Sequence, residues 1–589
     1  MRKILLLSAL LALSFVCRAE PVQPWSALLD KAASDASLDS ARNELVEKAR
    51  TLADMEIIRR PKTLAEVGTH RTWLDGRSKV LEDEIRENFA LAMADFAACS
   101  TLAKELPLLA AAYRLTKDHS LRDRIVAQLE EMATWSPLQR PGWSLYVPGK
   151  RLPEDGKDGN WLATGCGIRA LGNTLALLPE GTLEPELTKK ITALLEIEIA
   201  RVVDDWATER SWFIRGNNPV TNQWVLPTEG LVRACLMVGV EDHSDAYELG
   251  VKNLLMALDS HGKKGEFEEG LGYASFTVTS LLHTAYAMGV AGDRRAIDHP
   301  FLKNFSIWLV HHFQPGNMVV SCFDAGGAYG TAERSKPLLA LLALCTGSRT
   351  ARWALQEQVG GPPADLAGLA VSAMEPVGPE SAPPLYANYE RATRVNWRDS
   401  WDANGSGLWV RGGHSLDQHD HQDRGHVNFI SRGRPILIEA STPSYHHPRM
   451  ETHYSSGLGH NVLQLGTEFP DDIVEAGKFA PYPGWQIRKG IAPITVNRLD
   501  KRGGEVMVDG TACYEGLARW KRTVAWTADA VSISDDVLLA DDKKDIILFR
   551  FHLGTETEVT IAAENDTQAF SHLVLCGSRG LGRSRNRPR

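Results

Sequence analysis

The feature that most constrains the fold is a change in residue pattern well past the middle of the chain. Between about residues 24 and 350, apolar residues recur at spacings of three and four, which is typical of amphipathic helices. From about residue 386 onward, apolar residues form short runs rich in β-branched and aromatic types, as at 407–411 and 546–552. Because 589 residues are too many for one hydrophobic core, the pattern predicts a helical domain followed by an antiparallel β domain.

The fold class predicted is multidomain α+β, with an N-terminal (α/α) toroid over 20–360 and a C-terminal antiparallel β-sandwich over 386–576. The Gly- and Pro-rich stretch 361–385 is predicted to be a linker. The basic, low-complexity stretch 577–589 is predicted to be a tail that follows an incomplete sandwich. The predicted helices are 78–98, 107–115, 121–135, 165–178, 186–205, 228–238, 247–258, 276–289 and 300–312.

The first 19 residues have the pattern of a secretory signal peptide. Arg2 and Lys3 precede an apolar run over 4–16, and we expect cleavage after Ala19. The chain is therefore predicted to be periplasmic or secreted. No later run reaches the roughly 18 apolar residues that a bilayer-spanning helix needs, so no transmembrane helix is expected.

Charge and cysteine content exclude several classes of protein. The net charge is −9, and loss of the basic signal makes the mature chain more acidic, which disfavours nucleic-acid binding. A polyanionic substrate would therefore need a local basic patch. The cysteines are scattered and form no CxxC pair, so neither a disulfide scaffold nor a zinc finger is predicted.

The richest chemical motif is 417–429, which holds three histidines and several carboxylates. His419 and His421 are two residues apart, so on a strand they would share one face and address one site. One could be a metal ligand and the other a catalytic group. The competing interpretation is a solvated polar turn between strands.

A metal site can be assembled from this motif and the residues that follow it. His421 and His460, with Glu439 as the third ligand, form a set that suits Zn²⁺ with water in the fourth position. The alternative ligands are His426, Asp423 and His453.

Two motifs in the helical half carry further candidates. The Gly-rich acidic turn 265–273 places Glu269 and Tyr273 at a helix entrance. The stretch 215–224 combines an arginine, several amides and a tryptophan, which can bind carboxylates, hydroxyls and sugar faces. Ordinary helix-start chemistry and a polar loop with capping asparagines are the structural alternatives.

Together, in this order, the three motifs resemble the heparinase II/III-like polysaccharide lyases, over about residues 60–570. The likeness is strongest at 419–433, which has an HxHxDxG-type pattern, and at 455–463, which contains His-Asn. The Glu-Gly-x-x-Tyr motif is present at 269–273, and the Asn-rich motif that ends in Trp is present at 221–224. The resemblance implies a toroid-plus-sandwich enzyme that acts on uronic-acid polymers such as heparan sulfate or alginate.

The resemblance also implies roles for the matching residues. Tyr273 is implied as the catalytic base and acid, Asn222 as the contact to the substrate carboxylate, and His419 as a group lining the catalytic site. His421, Glu439 and His460 are implied as the zinc ligands. Further substrate-binding candidates are Gln223, Asn217, Asn218, Arg215, Trp224 and Glu269.

Two positions depart from the family pattern. Gln223 stands where the family often has a histidine, and an amide cannot carry a proton. Glu439 stands where the third ligand is usually aspartate. These departures put in doubt any mechanism that needs a second proton carrier from the helical domain, and they are compatible with an inactive relative.

The activity predicted is β-elimination by a carbon–oxygen lyase, with an acidic polysaccharide as substrate and a homodimer as a candidate assembly. Two alternatives are kept. A toroid-fold glycoside hydrolase would use a carboxylate pair drawn from Glu268, Glu269 and Asp324. A glycan-binding protein would keep the zinc and lack catalysis.

Overall fold

The computed structural model describes twelve segments of the chain: 22–70, 83–146, 151–324, 331–440, 442–443, 447, 449–466, 486–487, 490–540, 546–554, 558–561 and 573–576. The predicted signal peptide and the basic tail lie outside these residues. Among the helices of the described segments, none has both the length and the apolar character needed to cross a bilayer.

The N-terminal part of the chain is rich in helices, as predicted. Their bounds are α1 Trp25–Ser34, α2 Asp39–Ala53, α3 Asp83–Thr116, α4 His119–Met132, α5 Leu162–Leu175, α6 Pro185–Ala207, α7 Trp212–Arg215, α8 Asn222–Val238, α9 Ser244–Ser260, α10 Gly270–Val290, α11 Pro300–His311, α12 Lys336–Thr346, α13 Arg349–Glu357 and α14 Leu366–Ser372.

Prolines misled two of the helix predictions. Pro107 was expected to start a helix, but it lies inside α3, which joins the predicted segments 78–98 and 107–115. The flanking Leu106 and Leu108 are buried, and we attribute the continuity of α3 to this packing, which offsets the hydrogen bond that proline removes. Helix α8 begins at Asn222, six residues earlier than predicted, because Thr221 caps it and Pro227 is accommodated in its interior.

Three central helices, α5, α8 and α10, run parallel and in close contact. Gly165 and Gly172 of α5 lie against Leu226 and Arg233 of α8, in the same order along both helices. Ser280 of α10 donates to Glu229 of α8 at 2.6 Å, and Arg233 donates to the carbonyl oxygen of His283 at 3.0 Å. The three helices therefore begin at one end of the helical part.

The segment predicted as a linker, 361–385, is not a simple connection. Residues 366–372 form α14, which is capped by Asp365 and packs into the helical core. Pro- and Gly-rich flanks suggested a break in the pattern, but the apolar run between them is long enough to make two turns of buried helix.

The C-terminal part consists of antiparallel sheets. The strands that follow the short hairpin β1 Phe313–Gln314 and β2 Met318–Val319 are β3 Tyr386–Tyr389, β4 Arg394–Arg398, β5 Gly407–Arg411, β6 Val427–Ser431, β7 Arg434–Leu437, β8 Leu463–Leu465, β9 Ile494–Asp500, β10 Gly503–Asp509, β11 Leu517–Trp526, β12 Val531–Leu539, β13 Ile547–Phe549, β14 Glu558–Ile561 and β15 Leu573–Cys576. Strands β3 to β7 form one sheet in chain order, and β9 to β12 form a second.

These two sheets share one hydrophobic core. Val410 and Phe429 from the first sheet pack in the same cluster as Val506, Trp520 and Val524 from the second. Burial alternates along β11, as expected for a strand with one face on a core. The cysteines of the described segments up to Cys513 are free and buried, in line with the absence of a disulfide pattern.

Side chains from β4 join the sheets to the helical part. Arg394 donates to the carbonyl oxygen of Phe267 at 3.1 Å, and Asn396 donates to that of His311 at 2.7 Å. The backbone N–H of Gln418 donates to the carbonyl oxygen of Glu268 at 3.0 Å. These bonds bring the turn before α10 against the histidine-rich loop.

Candidate active site

Tyr273 and His419 meet where the two parts of the molecule touch. Their rings stack with centroids 3.6 Å apart and an interplanar angle of 16°. Tyr273 lies in the first turn of α10, and His419 lies in the loop between β5 and β6. A phenol and an imidazole, both able to transfer protons, therefore share one site across the junction.

The start of α10 needs glycine to approach the segment 322–324, which carries Asp324. Gly270 has φ 78°, and a Cβ atom there would lie 2.9 Å from the Cβ of Phe323. Any larger residue would clash with the segment that carries Asp324. The Gly-rich sequence before Tyr273 thus serves close packing as well as helix initiation.

Asp324 joins the two histidines of the HxH motif. Its Oδ2 atom lies 2.7 Å from Nδ1 of His419, and its Oδ1 atom lies 3.1 Å from Nε2 of His421. Burial raises the pKa of Asp324, but the hydrogen bonds from both imidazoles outweigh it and hold the pKa well below its usual range. The sequence offered this residue only as a hydrolase acid, because nothing in its neighbourhood along the chain links it to the histidines.

The prediction that His419 and His421 lie on a strand is wrong. Both belong to an irregular loop before β6, and His419 has φ 50°, in the left-handed region. Buried Arg411 holds this loop by ion pairs to the three carboxylates Asp417, Asp420 and Asp423. The carboxylates that looked like candidate chemistry in the sequence therefore fix the loop, and the two imidazoles converge on Asp324 instead of sharing a strand face.

His421, Glu439 and His460 form a buried cluster that could hold a metal ion. Their candidate ligand atoms lie within 4.8 Å of one another. Within the described residues no hydrogen bond reaches Nδ1 of His421, either carboxylate oxygen of Glu439, or either ring nitrogen of His460, although Nδ1 of His460 lies 3.3 Å from Oε1 of Glu439. Buried polar atoms without hydrogen bonds are costly, so the donor set fits a bound cation such as zinc.

The pKa of His460 also suits a cation. Burial lowers the pKa of His460 to about 3, which keeps the imidazole neutral and able to donate a lone pair. Burial raises the pKa of Glu439 to about 7, and a nearby cation would favour its ionised form.

The alternative metal ligands are engaged elsewhere or lie outside this cluster. His426 accepts from the backbone N–H of Asn461 at 2.9 Å and pairs with Oδ1 of Asn428 at 2.8 Å, so both of its nitrogens are used. Asp423 pairs with Arg411. His453 is bonded to the hydroxyl of Thr452 at 2.9 Å.

The register of the parallel helices relates Asn222 of α8 to Tyr273 of α10. Glu229 is level with Ser280, and extending that register to the helix starts sets Asn222 level with Tyr273. The neighbouring Gln223 accepts a hydrogen bond at 2.9 Å from the indole N–H of Trp212, which is 36% exposed. Gln223 therefore orients an exposed indole next to Asn222.

Two predicted substrate contacts are buried. Trp224 is only 3% exposed, and its indole N–H donates to the carbonyl oxygen of Asn253 inside the helical core. Glu269 is 1% exposed, and the roles of both residues toward a substrate stay predictions. Trp224 lies at helical spacing from the buried residues that follow it. This spacing could have assigned it to the core.

The other predicted substrate contacts lie in the turn before α8. Arg215 donates to the carbonyl oxygens of Glu209 and Arg210 and so satisfies backbone just after α6. Asn217 is exposed with φ 44°, and the carbonyl oxygen of Asn218 accepts from the hydroxyl of Thr221. Their roles toward a substrate stay predictions.

Glu268 and Glu269 are buried next to the stacked pair. Burial raises the pKa of each to about 7. Glu268 is partly compensated by an ion pair with Arg391 at 3.3 Å. Neither carboxylate reaches the surface, so both affect the site through their charge.

Comparison with known proteins gives a consistent result. Residues 407–583 match the family model described as "Heparinase II/III-like, C-terminal". No curated protein matches the chain in sequence.

Similar folds occur among solved structures. A heparinase III gene product is 12% identical to this chain and has a TM-score of 0.53. The match covers 92% of this chain and 83% of that protein. Another heparinase III is 14% identical, with 90% and 81% covered and a TM-score of 0.53. A mutant of the heparan sulfate lyase HepC from Pedobacter heparinus is 11% identical, with 94% and 88% covered and a TM-score of 0.51. The heparinase II/III-like resemblance is thereby confirmed for the C-terminal region, and the overall fold is similar to that of these enzymes.

Proposed function

We propose that this chain, which carries a heparinase II/III-like C-terminal domain, is an exported polysaccharide lyase that cleaves a uronic-acid polymer by β-elimination. The proposal includes the finer architecture predicted from the sequence, an (α/α) toroid with a β-sandwich. The observation that carries it is the stack of Tyr273 on His419, with Asn222 level with Tyr273 in the neighbouring helix. Heparinase III and heparan sulfate lyase are the names of proteins with a similar fold.

The reaction needs one base, one acid and a charge stabiliser. The base removes the C5 proton of the uronate, the electron pair forms the C4–C5 double bond, and the C4–O bond breaks. The leaving oxygen then takes a proton. Tyr273 can perform both transfers if it faces the C5 proton and the leaving oxygen on one side of the sugar, and His419 is the alternative for one of them.

The intermediate carries extra negative charge on the uronate carboxylate. In this proposal the side-chain amide of Asn222 donates to that carboxylate. Asn222 is the first residue of α8 and Tyr273 lies in the first turn of α10, so the partial positive charges of both helix starts lie at the same end as the site. This local field favours a bound carboxylate at the site.

Zinc is the proposed metal, held by His421, Glu439 and His460. When bound, it would supply a fixed positive charge that secures the loop carrying His419. The proton transfers themselves are assigned to Tyr273 and His419.

Gln223 fits this mechanism without carrying a proton. Its side-chain oxygen holds the indole of Trp212, and an exposed indole face can stack on a sugar ring. We therefore assign the Trp212–Gln223 pair to substrate positioning beside Asn222.

A glycoside hydrolase is the second candidate, because Glu269 and Asp324 have pKa values displaced in opposite directions. Divergent carboxyl pKa values are typical of acid/base pairs. Here, however, both oxygens of Asp324 bond to imidazoles and Glu269 is buried, so neither is placed to attack or protonate a polymer.

The test is a panel of acidic polysaccharides that differ in uronate configuration and sulfation. The zinc-loaded chain is incubated with heparan sulfate, chondroitin sulfate, hyaluronan and alginate, and ultraviolet absorbance of the unsaturated product is followed. A rise in absorbance with at least one polymer is expected. New reducing ends without that absorbance would indicate the hydrolase, and saturable binding without turnover would indicate a glycan-binding protein.

A further inference from the structure

Asp324 contacts two histidines that belong to different parts of the site. One carboxylate oxygen bonds to His419, whose ring stacks on Tyr273, and the other bonds to His421, whose remaining nitrogen belongs to the metal-binding cluster. The carboxylate is mostly buried, which strengthens both bonds.

The backbone on both sides of this contact is strained. Phe323, next to Asp324, has φ 62°, and His419 has φ 50°. Residues with a side chain rarely adopt these values, which are unfavourable and persist only where the surroundings enforce them. Strain at both ends of one hydrogen bond indicates that the fold is organised to bring Asp324 and His419 together.

Packing around Phe323 supplies that enforcement. The guanidinium carbons of Arg411 and Arg394 lie 4.0 and 4.7 Å from the centre of its ring. Gly270 leaves room for its Cβ. Arg411 also pairs with the carboxylates of the histidine loop, so one buried cation fixes both segments that meet at Asp324.

We propose that Asp324 is a positioning residue that couples the metal centre to the proton-transfer pair. Its Oδ1 atom accepts from Nε2–H of His421, which fixes the ring and leaves Nδ1 for the metal. Its Oδ2 atom accepts from Nδ1–H of His419, which holds that ring against Tyr273. The part of this inference that concerns His419 and Tyr273, its His419 half, rests on the proposed lyase function. The part that concerns the metal, its metal half, rests on the cluster of His421, Glu439 and His460 alone.

The coupling has a measurable consequence. Because Asp324 bonds to both rings, metal binding at His421 and the orientation of His419 should influence each other to the same extent. Loss of the carboxylate should weaken the metal site and release His419, although Asp324 itself touches neither the metal nor the substrate.

The test compares the wild-type chain with Asp324→Asn. The amide of asparagine can accept from only one imidazole, because its NH₂ group then faces the other. Zinc affinity, measured by competition with a chromophoric chelator, is expected to fall 10- to 100-fold. At saturating zinc, kcat is expected to fall at least tenfold with a smaller change in KM. Carbethoxylation of His419, followed by mass spectrometry in the zinc-loaded protein, is expected to accelerate severalfold.

Asp95→Asn is the matched control, since Asp95 is a buried carboxylate that accepts from Arg60 and Arg140 and not from an imidazole. It should leave zinc affinity and His419 labelling at wild-type values. Wild-type zinc affinity in Asp324→Asn would overturn the metal half, and unchanged kcat with unchanged labelling would overturn the His419 half.

Asp324→Glu covers the case in which the Asn variant does not fold. It retains the charge but displaces the oxygens by one methylene, so zinc affinity should fall and His419 labelling should rise. Wild-type values of both would reject the proposal. If the wild-type chain eliminates none of the polymers, the lyase function fails, while chelator competition and labelling still decide the coupling.

Discussion

At the scale of single residues, the site depends on aromatic and imidazole rings held by contacts remote in sequence. Tyr273 and His419 are in direct stacking contact, and a hydrogen bond to Asp324 holds the imidazole. The sequence predicted both residues of the pair from motif resemblance. It could not predict Asp324, because that contact depends on a strained turn at Phe323 and on no local pattern.

Tyr273→Phe removes the hydroxyl and keeps the stacked ring. We expect kcat on the best polymer to fall by about 10²–10⁴, the usual contribution of a general acid/base. The circular dichroism spectrum should be unchanged. Tyr113→Phe in α3 is the matched control and should keep full activity; a Tyr273→Phe variant as active as that control would remove Tyr273 from the mechanism.

Trp212→Ala removes the exposed indole that Gln223 orients. If stacking on the sugar contributes as much as a pair of aromatic rings, about 0.5–1.5 kcal/mol, KM should rise about 2- to 12-fold while kcat changes less. Initial rates over a range of polymer concentrations measure both. Ile197→Ala, at another exposed apolar position, should leave KM unchanged, and an unchanged KM in Trp212→Ala would exclude the indole from substrate binding.

At the scale of elements, buried hydrogen bonds between α5, α8 and α10 keep the helix starts in register. Arg169 of α5 makes two bonds to Glu229 of α8, which also accepts from Ser280 of α10. All three side chains are buried. Helical spacing predicted these helices, but the sequence does not reveal that polar residues on their inner faces pair with one another.

Glu229→Leu leaves Arg169 buried without its partner. We expect a loss of about 3–5 kcal/mol in unfolding free energy, as for other broken buried pairs, measured by urea denaturation. The double variant Arg169→Met with Glu229→Leu should recover part of that loss, because it removes Arg169, whereas Arg233, which lies 4.0 Å from Glu229, stays buried. A single variant as stable as wild type would mean that the pair does not fix the helices.

His261, at the end of α9, makes the helical part sensitive to acid. Its ring lies 4.8 Å from that of Phe267 and 4.6 Å from that of Phe301, and burial lowers its pKa to about 3. Between pH 6.5 and 3 the unfolded chain binds a proton that the folded chain does not, so stability falls as pH falls through this window. At pH 5 the loss is about 2 kcal/mol relative to neutral pH.

His261→Leu should remove that contribution. Between pH 7.5 and pH 5 the variant should lose about 2 kcal/mol less unfolding free energy than the wild type, measured by urea denaturation at both values. Equal losses in the two proteins would show that His261 does not titrate on unfolding.

At the scale of the whole molecule, the change of residue pattern predicted the order of the two parts well. The predicted run 407–411 coincides with strand β5 of the first sheet, because a short run rich in β-branched and aromatic residues is typical of a strand. The loop 417–425 was mistaken for a strand, because its conformation depends on the buried Arg411 and on positive φ at His419. The junction is likewise a product of tertiary contacts, among them the bonds from Arg394 and Gln418 to the turn before α10.

At the site where the helical part meets the sheets, we expect elimination and not hydrolysis. Mass spectrometry of the products from a defined oligosaccharide of the best polymer tests it directly, with the zinc-loaded wild-type chain and Tyr273→Phe compared. Elimination by Tyr273 should give fragments whose masses add up to that of the substrate, one of them unsaturated, and almost none of them with Tyr273→Phe. Fragments that together weigh one water more than the substrate would contradict it.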